Sequence, residues 1–238
     1  MAVLSGIHPI REALQAGRLF DRVLIAKGAG GARLQELIEL CRLASVPVRF
    51  EPRSALDRIA GSSAHQGVVA LGAAKGYAAL EDVLPSGGLL VVLDGVEDPH
   101  NLGAIIRTAH AAGASAVCVP ERRAAGLTDV VAKAAAGALE HLPVVRLGNI
   151  NQSLELMKKR GFWIYGIDER GPEMYDQVDY ASPAALVFGA EGHGLHQQVR
   201  NHCDVLVRIP MAGRIASLNV SVAAGVVLFE WKRRSKPA

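Results

Sequence analysis

The 238-residue sequence predicts an α/β protein built on a mostly parallel sheet. Short β-branched and aliphatic runs recur along the chain, and stretches with apolar residues at helical spacing separate them. A third observation says where a ligand would sit. Three of the apolar runs, LLVVLDG, LVFG and VLVRIP, lead into segments carrying Gly, Asn, Ser, Glu or Arg where a bare folding pattern would place a plain turn. Open parallel sheets bind ligands at the C-terminal ends of their strands.

Taken in order, DRVLIA (21–26) and VPVRFE (46–51) read as strands. GARLQELIELCRLA (31–44) between them reads as a helix, with Leu34, Leu37, Ile38 and Leu40 or Cys41 at helical spacing. QGVVAL (66–71) closes this first unit as a strand. The stretch 73–88, with small residues, Pro and a Gly pair, reads as a linker without a core pattern. GLLVVLDG (88–95) is a strand ending in a Gly turn. LGAIIRTAHAAG (102–113) is a helix with Leu102, Ile105, Ile106 and Ala109 on one face and Asn101 at the N-cap position. SAVCVP, PVVRL and FWIYGID follow as strands with helical stretches between them, and LVFG and VLVRIP complete the sheet. The last helix, LNVSVAAGVVLFEWKRR (218–234), is apolar on nearly every side and is expected to be covered all round. The expected division is a first domain at 1–74, a linker at 75–86 and a second domain at 87–238.

Half of the residues are hydrophobic, enough for a sizeable core in one large or two small domains. No run of about 18 apolar residues lacks polar breaks, so no membrane span is expected. The N-terminus carries charge too early for a signal peptide. Cys41, Cys118 and Cys203 are odd in number and widely separated, which points to a reducing cytoplasm and not to a disulfide framework. The net charge of +3 is uneven. Residues 1–80 hold ten Lys/Arg and six Asp/Glu, and residues 81–238 hold sixteen and seventeen. An anionic partner such as RNA would meet the first part first, although +4 also fits an ordinary solvated surface.

Several residues are candidates for chemistry, each with a plainer reading beside it. The three glycines of GAEGHGL (189–195) let backbone approach a ligand, or simply make a turn; no Gly-Lys-Ser/Thr follows, so this is not a P-loop. Glu191 inside it is either a solvated loop residue or a group that orients a ligand. Ser217 is either an N-cap or a site residue. Asn219 enters a helix otherwise made of Val, Ala and Leu and needs partners there. Arg107 lies on the helix face away from Ile105, Ile106 and Ala109, either as a solvated Arg or where RNA or another chain comes close. His193, His196, His202 and Cys203 cluster, but their spacing fits no standard zinc pattern, and no metal is expected.

In this order, DGVEDPHNLGAIIRTAHAAG (94–113), LVFGAEGHGL (186–195) and RIPMAGRIASLNVSVAAGVVLFE (208–230) closely resemble the three motifs of the SpoU (TrmH-like) RNA ribose 2'-O-methyltransferases, a branch of the SPOUT class. SGIHPIREALQAGR, with Gly6, His8, Pro9 and Arg11, and the triplet His65-Gln66-Gly67 resemble their substrate-binding domain. The resemblance covers nearly the whole chain. It implies an N-terminal L30e-like RNA-binding domain and a C-terminal SPOUT α/β domain whose segment from about residue 186 onward forms a deep trefoil knot. It implies S-adenosyl-L-methionine as cofactor, with Gly189, Ile209 and Leu218 lining its pocket and Met211 and Gly213 in the loop that wraps it. It makes Arg107 the catalytic arginine and Asn101 its helix-start partner, with Glu191, Ser217 and Asn219 in the same network. Arg107 would act either as a base or as a phosphate clamp; a guanidinium with a pKa above about 12 is a poor base.

The branch that looks closest methylates a guanosine of 23S rRNA, in the P loop of the peptidyl-transferase region. The implied substrate is 23S rRNA or a large-subunit precursor, and the implied enzyme is a cytoplasmic homodimer needing neither membrane nor metal. The two-domain layout argues against the tRNA-modifying type, while the type that methylates a 23S adenosine for thiostrepton resistance shares it. A non-catalytic RNA-binding factor would be expected to lack some of Asn101, Arg107, Glu191, Ser217 and Asn219; all five are present.

Overall fold

The computed structural model describes residues 2–190, 192–214 and 217–234. The chain divides into two compact units, one of residues 1–76 with 127–141 and one of residues 77–126 with 142–238. The first unit begins with β1 (Ala2–Ser5), α1 (Ile7–Gln15), β2 (Phe20–Ala26), α2 (Ala32–Leu43), β3 (Val48–Glu51), α3 (Arg53–Ala60) and β4 (Val68–Gly72). The second opens with α4 (Leu80–Val83), β5 (Leu89–Asp94), α5 (Pro99–Ala112) and β6 (Ala116–Pro120). The chain then adds α6 (Asp129–Ala135) and α7 (Ala138–His141) to the first unit. It completes the second with β7 (Val144–Leu147), α8 (Ile150–Lys159), β8 (Trp163–Ile167), β9 (Glu173–Met174), β10 (Ala184–Gly189), α9 (Gln197–Asn201), β11 (Val205–Arg208) and α10 (Val220–Arg234).

In the first unit the strand order is β1-β4-β2-β3, with β4 antiparallel to both neighbours and β2 parallel to β3. Leu24, Ala26, Val69 and Leu71 share one face and pack with Leu56 of α3. The His65-Gln66-Gly67 triplet is explained locally. His65 is fully buried, and its Nδ1 accepts from the Gly67 N–H at 2.9 Å. The ring proton is therefore on Nε2, which donates to Asp57 at 2.9 Å. Gln66 Oε1 accepts from the Ile7 N–H at 3.2 Å, tying this turn to the start of α1.

Residues 127–141 join this unit through paired charges. The Ser5 N–H and Oγ–H both donate to the Asp129 carboxylate, at 2.8 and 2.7 Å. Glu140, with a side chain only 3% exposed, accepts from Arg18 at 2.8 Å and lies 3.4 Å from the Lys75 ammonium. A single cut at 75–86 does not describe this arrangement, because α6 and α7 fall within the expected second domain yet cluster with the first unit.

The second unit carries a seven-stranded sheet in the order β7-β6-β5-β10-β8-β11-β9, with every pairing parallel. Side chains alternate between faces along each strand. Leu90, Val92, Cys118, Ala185 and Val187 pack with Leu154, Met157, Leu195 and Val199 on one face. The next residues in phase, Val91, Leu93, Leu186 and Phe188, are equally buried on the other. There α5 and α10 pack extensively against each other. Burial pushes the Cys41 thiol up to about 11 and those of Cys118 and Cys203 up to about 12. No helix of the described residues is long and apolar enough to cross a membrane.

Three details differ from the sequence reading. The stretch 75–86 is not a featureless linker: it contains α4 and a 3-10 turn (Leu84–Ser86), and Leu80, Val83 and Leu84 are buried in the core of the second unit. Their i, i+3, i+4 spacing is that of one helical face, hidden in the sequence by the surrounding Ala, Gly and Pro. The N-cap of α5 is Asp98, whose carboxylate accepts from the His100 N–H at 2.8 Å, with Pro99 at N1. Proline's fixed φ starts the helix there, so Asn101 lies inside the first turn. Finally, α10 is not covered all round: Val222 and Phe229 are each about half exposed.

The buried position of Leu84 sets a first test. Leu84→Ala should lower unfolding stability by about 2–4 kcal/mol, measured by denaturant titration, whereas a linker residue would leave it within about 0.5 kcal/mol.

Candidate functional site

The site is built where β10 ends, in the second unit. Gly189, the last residue of β10, pairs with Asp94, the last residue of β5. The chain then folds straight back, and the Gly194 N–H donates to the Ala190 carbonyl at 3.0 Å. A Cβ on Gly189 would lie 2.1 Å from the Gly194 carbonyl carbon and 2.4 Å from the Leu195 nitrogen, so only glycine fits. Asp94 holds the far end of the turn. It is 4% exposed, its carboxylate accepts from the His196 N–H at 2.9 Å, and it lies 2.9 Å from His196 Nδ1. Glu191 lies outside the described residues.

Behind the turn is a cavity of about 300 Å³. Five of the residues expected at a cofactor or catalytic site line it: Gly189, Ile209, Met211, Ser217 and Leu218. Ile167, Phe188, Val220 and Ala223 extend its apolar wall. Gly213 is exposed and is not among the lining residues. Asp168, Glu169 and Arg170, on the loop after β8, also line the cavity. The sequence reading missed these three. Their signal was a run of charges, DER, directly after a predicted parallel strand, which is the position where ligand contacts gather.

Asn219 sits between two cavity residues, Leu218 and Val220, and its amide works in two directions. Its Oδ1 accepts from the Ser221 N–H at 2.9 Å and the Ser221 hydroxyl at 2.6 Å, which caps α10. Its Nδ2–H donates to Asn101 Oδ1 at 2.9 Å. Asn101 is 7% exposed, so a buried polar residue in the first turn of α5 finds its partner on the last helix. Arg107 lies six residues further along α5, about 9 Å up the helix axis. It is exposed, makes no hydrogen bond or ion pair among the described residues, and does not line the cavity. The structure therefore brings together Asn101, Asn219, Ser217 and four expected pocket residues, and leaves Arg107 facing outward.

The SpoU rRNA Methylase family matches residues 88–229, and the RNA 2'-O ribose methyltransferase substrate binding family matches residues 3–78. The chain belongs to the SpoU rRNA methylase family. It is 41% identical over 238 residues to YacO of Bacillus subtilis (strain 168), which carries the name of a TrmH family tRNA/rRNA methyltransferase, covering 98% of this chain and 95% of that one. Among solved structures it is similar to the SpoU methyltransferase AviRb from Streptomyces viridochromogenes in complex with AdoMet. That match has a TM-score of 0.83 and 27% identity, covering 98% of this chain and 89% of the other. The AdoMet-bound rRNA methyltransferase from Sinorhizobium meliloti matches with a TM-score of 0.83 and 25% identity, over 99% and 88% of the two chains.

As a SpoU family RNA methyltransferase of SPOUT fold, the chain uses S-adenosylmethionine as its cofactor. The cavity fits that molecule. Its volume lies at the lower end of the range for small-ligand pockets. Its apolar wall suits an adenine face, and Gly189, Gly192 and Gly194 contribute side-chain-free backbone to the lining. Gly189→Ala should push the Gly194–Leu195 backbone away from β10 and disturb the wall that Gly194 lines. Calorimetry with S-adenosylhomocysteine should show affinity falling tenfold or more, while the melt loses about 1–3 kcal/mol for the overpacked contact.

Proposed function

We propose that this protein methylates the ribose 2'-oxygen of a guanosine in 23S rRNA, in the P loop of the peptidyl-transferase region, as an RlmB-like enzyme. The observation that carries the catalytic part is the Asn219–Asn101 hydrogen bond beside the cofactor cavity. It ties the segment holding Ser217 and Leu218 to the helix that presents Arg107. Bound S-adenosylmethionine supplies an electrophilic methyl on sulfur. The protein must bring a ribose hydroxyl in line with it and stabilise the oxygen as its proton leaves. Ser217 lines that wall and Asn219 lies next to it in the chain, with Glu191 assigned to the same network by resemblance.

Arg107 is assigned to the RNA as a phosphate clamp. A guanidinium keeps its proton below a pH of about 12 and offers five donors in a fork that matches phosphate. The exposed Arg107 has those donors uncommitted among the described residues. The rival role is arginine as base.

The working unit in this reading is a homodimer. Val222 and Phe229, seven residues apart on one side of α10, leave an apolar stripe in the single chain, and a second copy would cover it. The trefoil knot beginning near residue 186, a cytoplasmic setting and RNA recognition by the more basic first unit belong to the same reading; the guanosine itself rests on the resemblance of motifs and layout. Sedimentation at micromolar concentration should give twice the 25.1 kDa chain mass. A fully active monomer would refute the homodimer reading.

Arg107→Ala should lower methylation by about 100-fold or more, the scale seen when a group stabilising the transition state is removed. The Kd for S-adenosylhomocysteine should stay within about twofold, since Arg107 does not touch the cavity. Mapping of 2'-O-methyl marks in cells with and without the gene tests the substrate directly: loss of one P-loop guanosine mark is expected, and loss of an adenosine or tRNA mark instead replaces the guanosine assignment.

A further inference from the structure

We propose that the loop after β8 binds the amino-acid tail of the cofactor, with Arg170 taking its carboxylate and Glu169 its ammonium. The inference rests on the cofactor assignment and goes beyond it, because it fixes which part of the molecule meets which wall. Among the described residues lining the cavity, charged side chains are confined to Asp168, Glu169 and Arg170, apart from the exposed His193. The rest of the wall is glycine, serine and apolar groups. S-adenosylmethionine divides in a similar way, into an uncharged nucleoside and an amino-acid tail bearing one carboxylate and one ammonium, joined at the sulfonium.

The charges of this loop are not all engaged. Asp168, with a side chain 1% exposed, accepts from Arg200 Nη2 at 2.7 Å and Nε at 3.2 Å, and Arg200 is itself largely buried. That pair is matched, as a buried carboxylate requires. Arg170 then leans on an already neutralised acid. Its Nε donates to Asp168 Oδ1 at 3.1 Å and its backbone N–H to the same oxygen at 3.0 Å, while Nη1 has no partner among the described residues. Its positive charge is surplus at the cavity wall. Glu169 is exposed and makes no ion pair or hydrogen bond among the described residues. Adjacent residues thus offer free N–H donors and a free carboxylate, the complement of an α-amino acid.

The loop is also held in place. The Gly171 N–H donates to the Asp168 carbonyl at 2.9 Å, and Arg208 donates to the Gly171 and Pro172 carbonyls. A Cβ on Gly171 would lie 2.8 Å from the Leu206 and Val207 backbone of β11, so the turn is pressed against the sheet. A subsite on a fixed loop loses little entropy on binding.

Calorimetry on the full-length protein separates this from a general role in the pocket. S-adenosylhomocysteine carries the tail, and 5'-methylthioadenosine keeps the nucleoside and sulfur without it. The intact protein should bind the first at least tenfold more tightly, as expected for charge-assisted hydrogen bonds. Arg170→Met, which keeps the side-chain bulk at an exposed position, should weaken S-adenosylhomocysteine roughly tenfold and leave 5'-methylthioadenosine within about twofold. Glu169→Gln should act in the same direction. Equal losses for both ligands, or no loss for S-adenosylhomocysteine, overturn the assignment. An intact protein that binds neither ligand overturns the cofactor assignment and this subsite with it.

Discussion

No side chain fits at Gly189, and the candidate site is arranged around that gap. β10 runs between β5 and β8 at the middle of a parallel sheet, so its last residue is flanked on both sides by paired strands. The chain can reverse there within five residues only because the Gly194 carbonyl occupies the place of a Cβ. The same reversal puts Gly192, His193 and Gly194 on the cavity wall and delivers Leu195 into the core with Val187 and Ala185. Strand end, cavity wall and core anchor are thus one piece of geometry. The Asp94 carboxylate locks it by accepting from the His196 backbone just beyond the turn.

A second constraint joins segments far apart in sequence. Asn101 and Asn219 are separated by 118 positions, yet the exposed Asn219 supplies the buried Asn101 with a hydrogen-bond partner. An amide left unpaired in that place would cost about 1–3 kcal/mol, more than the net gain of an ordinary hydrogen bond. The pair therefore specifies how α5 meets α10 more than it stabilises the contact. Because Asn219 Oδ1 is committed to capping α10, its Nδ2 is the end that reaches Asn101, and the orientation of the amide follows from the bonds.

Much of this was legible in the sequence. The parallel order and the three strand ends could be placed because hydrophobic runs and Gly-rich breaks are local signals, whereas Gly189, Ile209, Met211, Ser217 and Leu218 were assigned to the site through the resemblance of the motifs around them. What was missed depends on contacts that a single stretch does not display. Leu80, Val83 and Leu84 look like linker until the sheet supplies the surface they cover. Asn101 looks like an N-cap because Asn favours that position, but Asp98 followed by Pro99 is the stronger start. Asp168 looks like a surface acid until Arg200, 32 residues away, is seen to hold it.

The segment 127–141 shows the same limit at the scale of domains, and it changes how the two units can be separated. Val131, Ala132, Ala135 and Leu139 are buried, and the segment is tied to the first unit by Asp129 and Glu140. Glu140 is almost wholly enclosed, so it is tolerable there only while Arg18 and Lys75 accompany it. Removing residues 1–76 would take away both cations and expose the apolar face together. An unpaired carboxylate in an apolar setting either draws in water or takes up a proton, and each outcome unsettles the local helix. The chain passes between the units three times, at residues 76–77, 126–127 and 141–142. A truncation at the apparent linker therefore does not isolate the methylase unit, because it strands a segment whose hydrogen-bond and charge partners lie in the part removed.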